Sequence, residues 1–150
     1  FGIVGTGMIA GHHAKAVRQA AGARLVVIVS RSDERRRDFA ARHGVPFASG
    51  RLEELLARED LDVVSITTPS GAHLEPALAA INAGKHVVVE KPLEITTERV
   101  DRMIAAASST IAAVTSRCRH ARPRHVPDTE TVTPFSRNRP ANSAAVSPVP

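Results

Sequence analysis

A chain of 150 residues, 43% hydrophobic with four Phe and no Tyr or Trp, is one domain's length and builds an aliphatic core. The formal net charge of +5 sits mainly in the last forty residues (six Arg, two acids), whereas residues 1–110 hold 14 Lys/Arg against 13 Asp/Glu, so nucleic-acid binding by the body is not expected. A single Cys, Cys118, excludes an intrachain disulfide framework and a multi-cysteine zinc site, and no apolar run or leader points to membrane insertion or export, which makes a cytoplasmic protein the expectation.

Strand and helix signals alternate along the body. "FGIV" (1–4) is an apolar strand, and Phe1 inside a strand-like run implies a start a few residues upstream. Residues 8–21 then place Ile9, His13, Ala16, Val17 and Ala20 on one helical face, with Gly22 as the stop. "RLVVIV" (24–29) is a continuously apolar strand of the kind covered on both faces. A charged helix follows over 33–43 and ends at Gly44. "VPF" (45–47) is a short strand whose proline confines it to a sheet edge.

Leu52, Leu55 and Leu56 mark a short helix, and "LDVVSITTP" (61–69) a further strand. Leu74, Ala77, Leu78 and Ile81 form a helical stripe, with Pro76 in its first turn and Gly84 at its end. Val87, Val88 and Val89 read as a buried strand that stops on Glu90, Lys91 and Pro92. Thr96 can then cap a helix carrying Val100, Met103, Ile104 and Ala107 on one face. The fold class is α/β, a doubly wound parallel sheet, and such sheets bind ligands at the carboxyl ends of their strands.

The sharpest local signal is "GTGMIA" (5–10), a G-x-G-x-x-A turn between a strand and a helix. Gly5 permits the tight turn, Gly7 lets the backbone approach a pyrophosphate, and Ala10 allows close helix packing. Thr6, Met8 and Ile9 complete the turn and the helix N-terminus that faces the anion. This is the Rossmann dinucleotide-binding arrangement, with NAD(P) as the implied cofactor. An Asp or Glu at the end of the second strand would hold the ribose hydroxyls of NAD. Here the chain has Ser30, Arg31 and Ser32. A guanidinium without a competing carboxylate slightly favours NADP; the other reading makes Arg31 a solvated surface charge and keeps NAD.

"FGIVGTGMIAGHHAKAV" and "DVVSITTPSGAHLEPALAAINAGKHVVVEKPLEIT", in this order and spacing, resemble the glucose–fructose oxidoreductase / inositol dehydrogenase / rhizopine-catabolism (Gfo/Idh/MocA) family over about residues 1–107. The resemblance implies a two-domain NAD(P)-dependent oxidoreductase acting by hydride transfer on sugars, cyclitols or related polyols. The second domain would supply substrate contacts and the oligomer interface, so an oligomer is expected only where that domain is present. Lys91 would be the catalytic lysine beside the nicotinamide and the reacting carbinol, with Glu90 its neighbour at the strand end. The Lys91–Pro92 bond matches a position often cis in the family. Thr67, Thr68 and Pro69 would line the cofactor cleft, and His73 is a candidate cofactor contact. His13 is expected to pack near the pocket, His12 to face solvent and His86 to be structural.

After about Ala107 the resemblance stops, and residues 108–150 form an Arg/Pro-rich low-complexity tail. All nine glycines lie at or before Gly84, and six of the ten prolines follow residue 120. Such a composition buries too little apolar surface to fold. Three origins fit it: a frameshift in a GC-rich gene, which is favoured, a natural low-complexity extension, or a basic interaction segment. Cys118, His120 and His125 are too scattered for a metal site, and no cluster elsewhere has ligand spacing. With the substrate domain missing, the expectation is a chain inactive alone. The alternative is a non-catalytic dinucleotide-binding or partner module with a basic tail.

Overall fold

The computed structural model describes residues 1–118, with side chains as far as Thr110. Its elements run β1 (Gly2–Val4), α1 (Met8–Gln19), β2 (Val27–Val29), α2 (Asp33–His43), β3 (Phe47–Ser49), α3 (Leu52–Leu56), β4 (Val63–Ile66), α4 (Leu74–Asn82), β5 (His86–Val89) and α5 (Thr97–Cys118). The strands pair in parallel in the order β3-β2-β1-β4-β5. The chain winds outward from β1 through β2 to β3, then returns to place β4 on the other side of β1. The gap between the β1 and β4 ends is thus the switch point where a doubly wound sheet opens a crevice.

The two faces carry separate cores. Ile3 and Ile28 point to one face and pack with Ala10, Ala14, Phe39 and Val45 from α1, α2 and the loop after α2. Val4, Val27, Val29, Val64 and Ile66 point to the other, against Leu55, Leu74, Ala77, Ile81 and Met103. This alternation is the period-2 rule of a strand applied to runs that are apolar on both faces.

Several local expectations shift. On α1 the buried stripe is Ala10, Ala14 and Val17, so of the predicted face only Val17 is fully buried, and the small side chains of Ala10 and Ala14 lie against the sheet. β3 is displaced two residues onward from Val45–Phe47, so Pro46 lies outside the ladder, and β3 is an edge strand among the described residues. Val87–Val89 is not a fully buried strand. β5 is an edge strand among the described residues, and Val88, paired beside Ser65 on the α1 face, is 43% exposed. Ile104, expected inside, is 54% exposed, while Met103 is buried. Helix α5 runs from Thr97 to Cys118. The Arg/Pro-rich segment from residue 119 onward, with His120 and His125, lies outside the described residues.

Candidate cofactor and active site

The carboxyl ends of four strands are brought level by hydrogen bonds that continue the ladder past the strand limits. Gly5 N–H donates to Val29 O at 2.8 Å, Thr67 N–H to Val4 O at 2.8 Å, Glu90 N–H to Ile66 O at 3.1 Å, and Ser30 N–H to Ser49 O at 3.1 Å. Gly5, Ser30, Thr67 and Glu90 therefore stand in one row. Over this row opens a cleft of about 980 Å³. Every site residue named from the sequence lines it, from the glycine turn and Ser30–Ser32 to Thr67–Pro69, His73, Glu90 and Lys91.

The glycine turn has two different glycines. Gly5 sits at φ +104°, and a Cβ there would meet Thr67 O at 2.8 Å, so both conformation and contact demand glycine. Gly7 has φ −69°, and a Cβ would find only Thr67 O at 3.9 Å. Among the described residues nothing fills the space a side chain would take; it opens onto the cleft. Gly7 is the N-cap of α1, whose first turn has no side-chain cap and no acidic residue. Free N–H groups and the positive helix end face the cleft, which is the donor set a pyrophosphate needs.

Beside the turn Thr6 Oγ1 lies 3.0 Å from Ser30 Oγ and ties the glycine turn to the end of β2. Ser32 caps α2, accepting from Arg35 N–H at 3.4 Å. The arginines here divide by role. Arg36 turns back to the protein, donating to Ser30 O at 2.8 Å and pairing with Asp33, and Arg37 also holds Asp33. Arg31 and Arg35 line the cleft, and among the described residues neither guanidinium has an ion-pair partner. Arg35 was not singled out from sequence, although its place in the first turn of α2, four residues after Arg31, was a usable signal.

At the opposite end the Lys91–Pro92 peptide is cis, as the resemblance implies. Glu90 Oε1 lies 2.7 Å from Nε2 of His13, and Glu90 Oε2 accepts the Lys91 main-chain N–H at 3.3 Å. The His13 hydrogen bond is the main reason the Glu90 carboxyl titrates below its ordinary range, with the Lys91 N–H adding to it. His13 thus does more than pack: its Nδ1 also sits 2.6 Å from Ser65 Oγ.

His73 is 1% exposed, and its ring is taken up by the protein. Nε2 lies 2.8 Å from Thr68 O, and Nδ1 lies 3.0 and 3.1 Å from Pro92 O and Leu93 O. Both ring nitrogens face main-chain carbonyls, so His73 clasps the loop after β4 to the loop after β5 while it also lines the cleft. Glu94, which sequence reasoning passed over, completes the clasp. Its fully buried carboxylate accepts from the main-chain N–H groups of His73, Leu74 and Ile95 and pairs with Arg99. Arg99, ahead of these N–H groups, drives the Glu94 carboxyl down to about 2. A lone Glu before a helix looks like a solvated charge, so no local pattern announces this role.

Among the described residues no group of three or more His, Cys, Asp or Glu has metal-holding geometry, and no helix is long and apolar enough to cross a membrane. The model of an oxidoreductase family with an NAD-binding Rossmann fold, Gfo/Idh/MocA, matches residues 1–117. The chain belongs to the Gfo/Idh/MocA family. It is 36% identical over 109 residues to scyllo-inositol 2-dehydrogenase (NADP(+)) of Bacillus subtilis, covering 73% of this chain and 33% of that protein. It is 37% identical to 1,5-anhydro-D-fructose reductase of Ensifer adhaerens, covering 71% and 32%. The WlbA dehydrogenase of Bordetella pertussis, solved with NADH and UDP-GlcNAcA, superposes with a TM-score of 0.69 at 35% identity, covering 73% and 33%. The chain therefore spans about a third of the length of these Gfo/Idh/MocA relatives.

Proposed function

We propose that this chain is the cofactor-binding part of an NADP(H)-preferring dehydrogenase acting on a sugar, cyclitol or related polyol. The observation that carries the reading is the single row at the sheet's switch point. It sets an open glycine turn and helix N-terminus between two unpaired arginines on one side and Lys91 on the other.

When bound, the dinucleotide supplies the hydride donor or acceptor. The N–H groups from Gly7 to Ile9 receive the pyrophosphate, and Arg31 and Arg35, with Ser30 and Ser32, receive the 2′-phosphate through charge-assisted hydrogen bonds. Thr67, Thr68 and Pro69 form the wall between the two ends. Lys91 donates a hydrogen bond to the carbinol oxygen, stabilises the charge that develops there and relays its proton. Holding the carbinol against the nicotinamide is the other requirement of the reaction. We assign that task to sequence of the kind that makes up the remaining two thirds of the relatives. The 150-residue chain alone is then expected to bind cofactor without turning over a polyol.

The test is a calorimetric titration with NADPH and with NADH, alongside a polyol oxidation assay. Saturable binding with NADPH the tighter ligand, and no turnover, is the expected result. Failure to bind either dinucleotide refutes the reading, and tighter binding of NADH refutes the cofactor preference.

A further inference from the structure

Lys91 and Glu90 are adjacent residues of opposite charge at the rim of the cleft, yet among the described residues no ion pair involves Lys91. Glu90 turns to His13 instead, at 2.7 Å. On its far side the imidazole meets Ser65 Oγ at 2.6 Å. A hydroxyl can donate to Nδ1, which leaves Nε2 carrying the N–H that Glu90 accepts. These three side chains come from α1, β4 and the end of β5, and sheet register puts Ser65 beside Ile3 on the face that α1 covers. Ser65 is 2% exposed, and an apolar residue would pack that face without the cost of burying a hydroxyl. A buried serine and a histidine thus together present one N–H to one carboxylate.

We propose that His13, oriented by Ser65, holds the Glu90 carboxylate off Lys91 and so keeps the Lys91 amine unpaired in the cleft. A free carboxylate beside an amine favours the ammonium and occupies its donors. With Oε1 bound to His13, Glu90 can still fix the Lys91 backbone through Oε2 while leaving the amine to a substrate oxygen. His13 is a positioning residue in this scheme, acting on Lys91 through Glu90. Its meaning for catalysis rests on the role given to Lys91 under Proposed function.

The test needs neither cofactor nor substrate. The full chain is treated with a limiting amount of an acetylating N-hydroxysuccinimide ester at about pH 8, where amine reactivity depends on the unprotonated fraction. The extent at each lysine is then read by peptide mass spectrometry. The other two lysines are internal standards: Lys15 is exposed on α1, while Lys85 Nζ donates to Arg58 O and Leu61 O, each at 2.9 Å, and reports loss of fold if it becomes reactive. His13→Ala is expected to slow labelling of Lys91 about threefold or more relative to Lys15, as the released carboxylate pairs with the amine. His13→Ala combined with Glu90→Gln should restore it. Unchanged or faster labelling of Lys91 in His13→Ala, with Lys85 still protected, overturns the proposal.

Should His13→Ala expose Lys85, Glu90→Gln in the otherwise unaltered chain decides. Little change at Lys91 is expected there, because its amine is already free. A several-fold increase would show that Glu90 pairs with Lys91 in the native chain and would overturn the proposal. A chain that fails to bind NADPH refutes the proposed function and leaves this labelling result standing, so the two failures are distinct.

Discussion

The main-chain N–H of His73 donates to a carboxylate oxygen of Glu94 at 3.0 Å, and the N–H of Leu74 donates to the same oxygen at 2.8 Å. Glu94 thereby closes the N-terminus of α4, whose leading N–H groups lack partners within the helix. In return, the His73 ring reaches the carbonyl oxygens of Pro92 and Leu93. The loop that carries Lys91 is thus tied to the cleft wall by both a side chain and a backbone.

Glu94→Gln is expected to lower stability by about 2–3 kcal/mol at neutral pH, the cost of removing charge-assisted bonds from buried donors and from Arg99. The pH dependence has a definite sign. The folded carboxyl titrates at about 2 against an ordinary 4.5, so its stabilisation is fully present above about pH 4.5 and is lost as pH falls toward 2. Urea midpoints measured between pH 7 and pH 2.5 should fall more steeply for the wild type than for Glu94→Gln across that window. Parallel acid limbs would show that Glu94 does not carry the linkage.

The two glycines of the turn should separate folding from binding. Gly5→Ala forces a side chain into a left-handed conformation with Thr67 O at 2.8 Å, and a loss of about 2–3 kcal/mol or outright failure to fold is expected. Gly7→Ala faces no such contact and should keep the wild-type melting temperature to within a few degrees, yet bind NADPH at least about tenfold more weakly. Thermal melts and calorimetry on the pair settle this. A Gly7→Ala chain that binds normally would place the pyrophosphate elsewhere.

Replacing Arg31 or Arg35 by Ala should cost about 1.5–3 kcal/mol in NADPH binding, roughly ten- to a hundredfold in Kd, with NADH affinity little changed. Arg36→Ala should behave in the opposite way. Its guanidinium is bound to Ser30 O and Asp33, so stability should fall while the ratio of NADPH to NADH affinity holds. Equal losses for both cofactors at Arg31 and Arg35 would remove the 2′-phosphate assignment.

Val88 lies on the α1 face of β5 with 43% of its surface exposed, and among the described residues β5 has no strand on its outer side. Val88→Thr keeps β propensity and removes exposed apolar surface, so stability should change by no more than about 0.5 kcal/mol while solubility rises. A large loss of stability would mean that Val88 is covered in solution.

Local chemistry alone determined the alternation of strands and helices, the glycine turn and the strand-end position of Glu90–Lys91. Each depends on residues close in sequence: apolar runs of strand length, helical stripes, and glycines between them. Those signals place the named site residues at the carboxyl ends of the strands. What they leave open is the partner of each side chain. His13 reads as a packing residue and Glu90 as a cofactor neighbour until register puts Ser65 beside Ile3 and brings α1 over the end of β5, 77 residues along the chain. Glu94 carries no signal in the sequence, and its role appears only when the backbone of α4 arrives over it. Ile104 and Val88 read as core because apolarity shows what can be buried, whereas burial itself depends on which surfaces other elements cover. Pairings across tens of residues are decided only when the sheet assembles, and in this chain they determine whether Lys91 stands free.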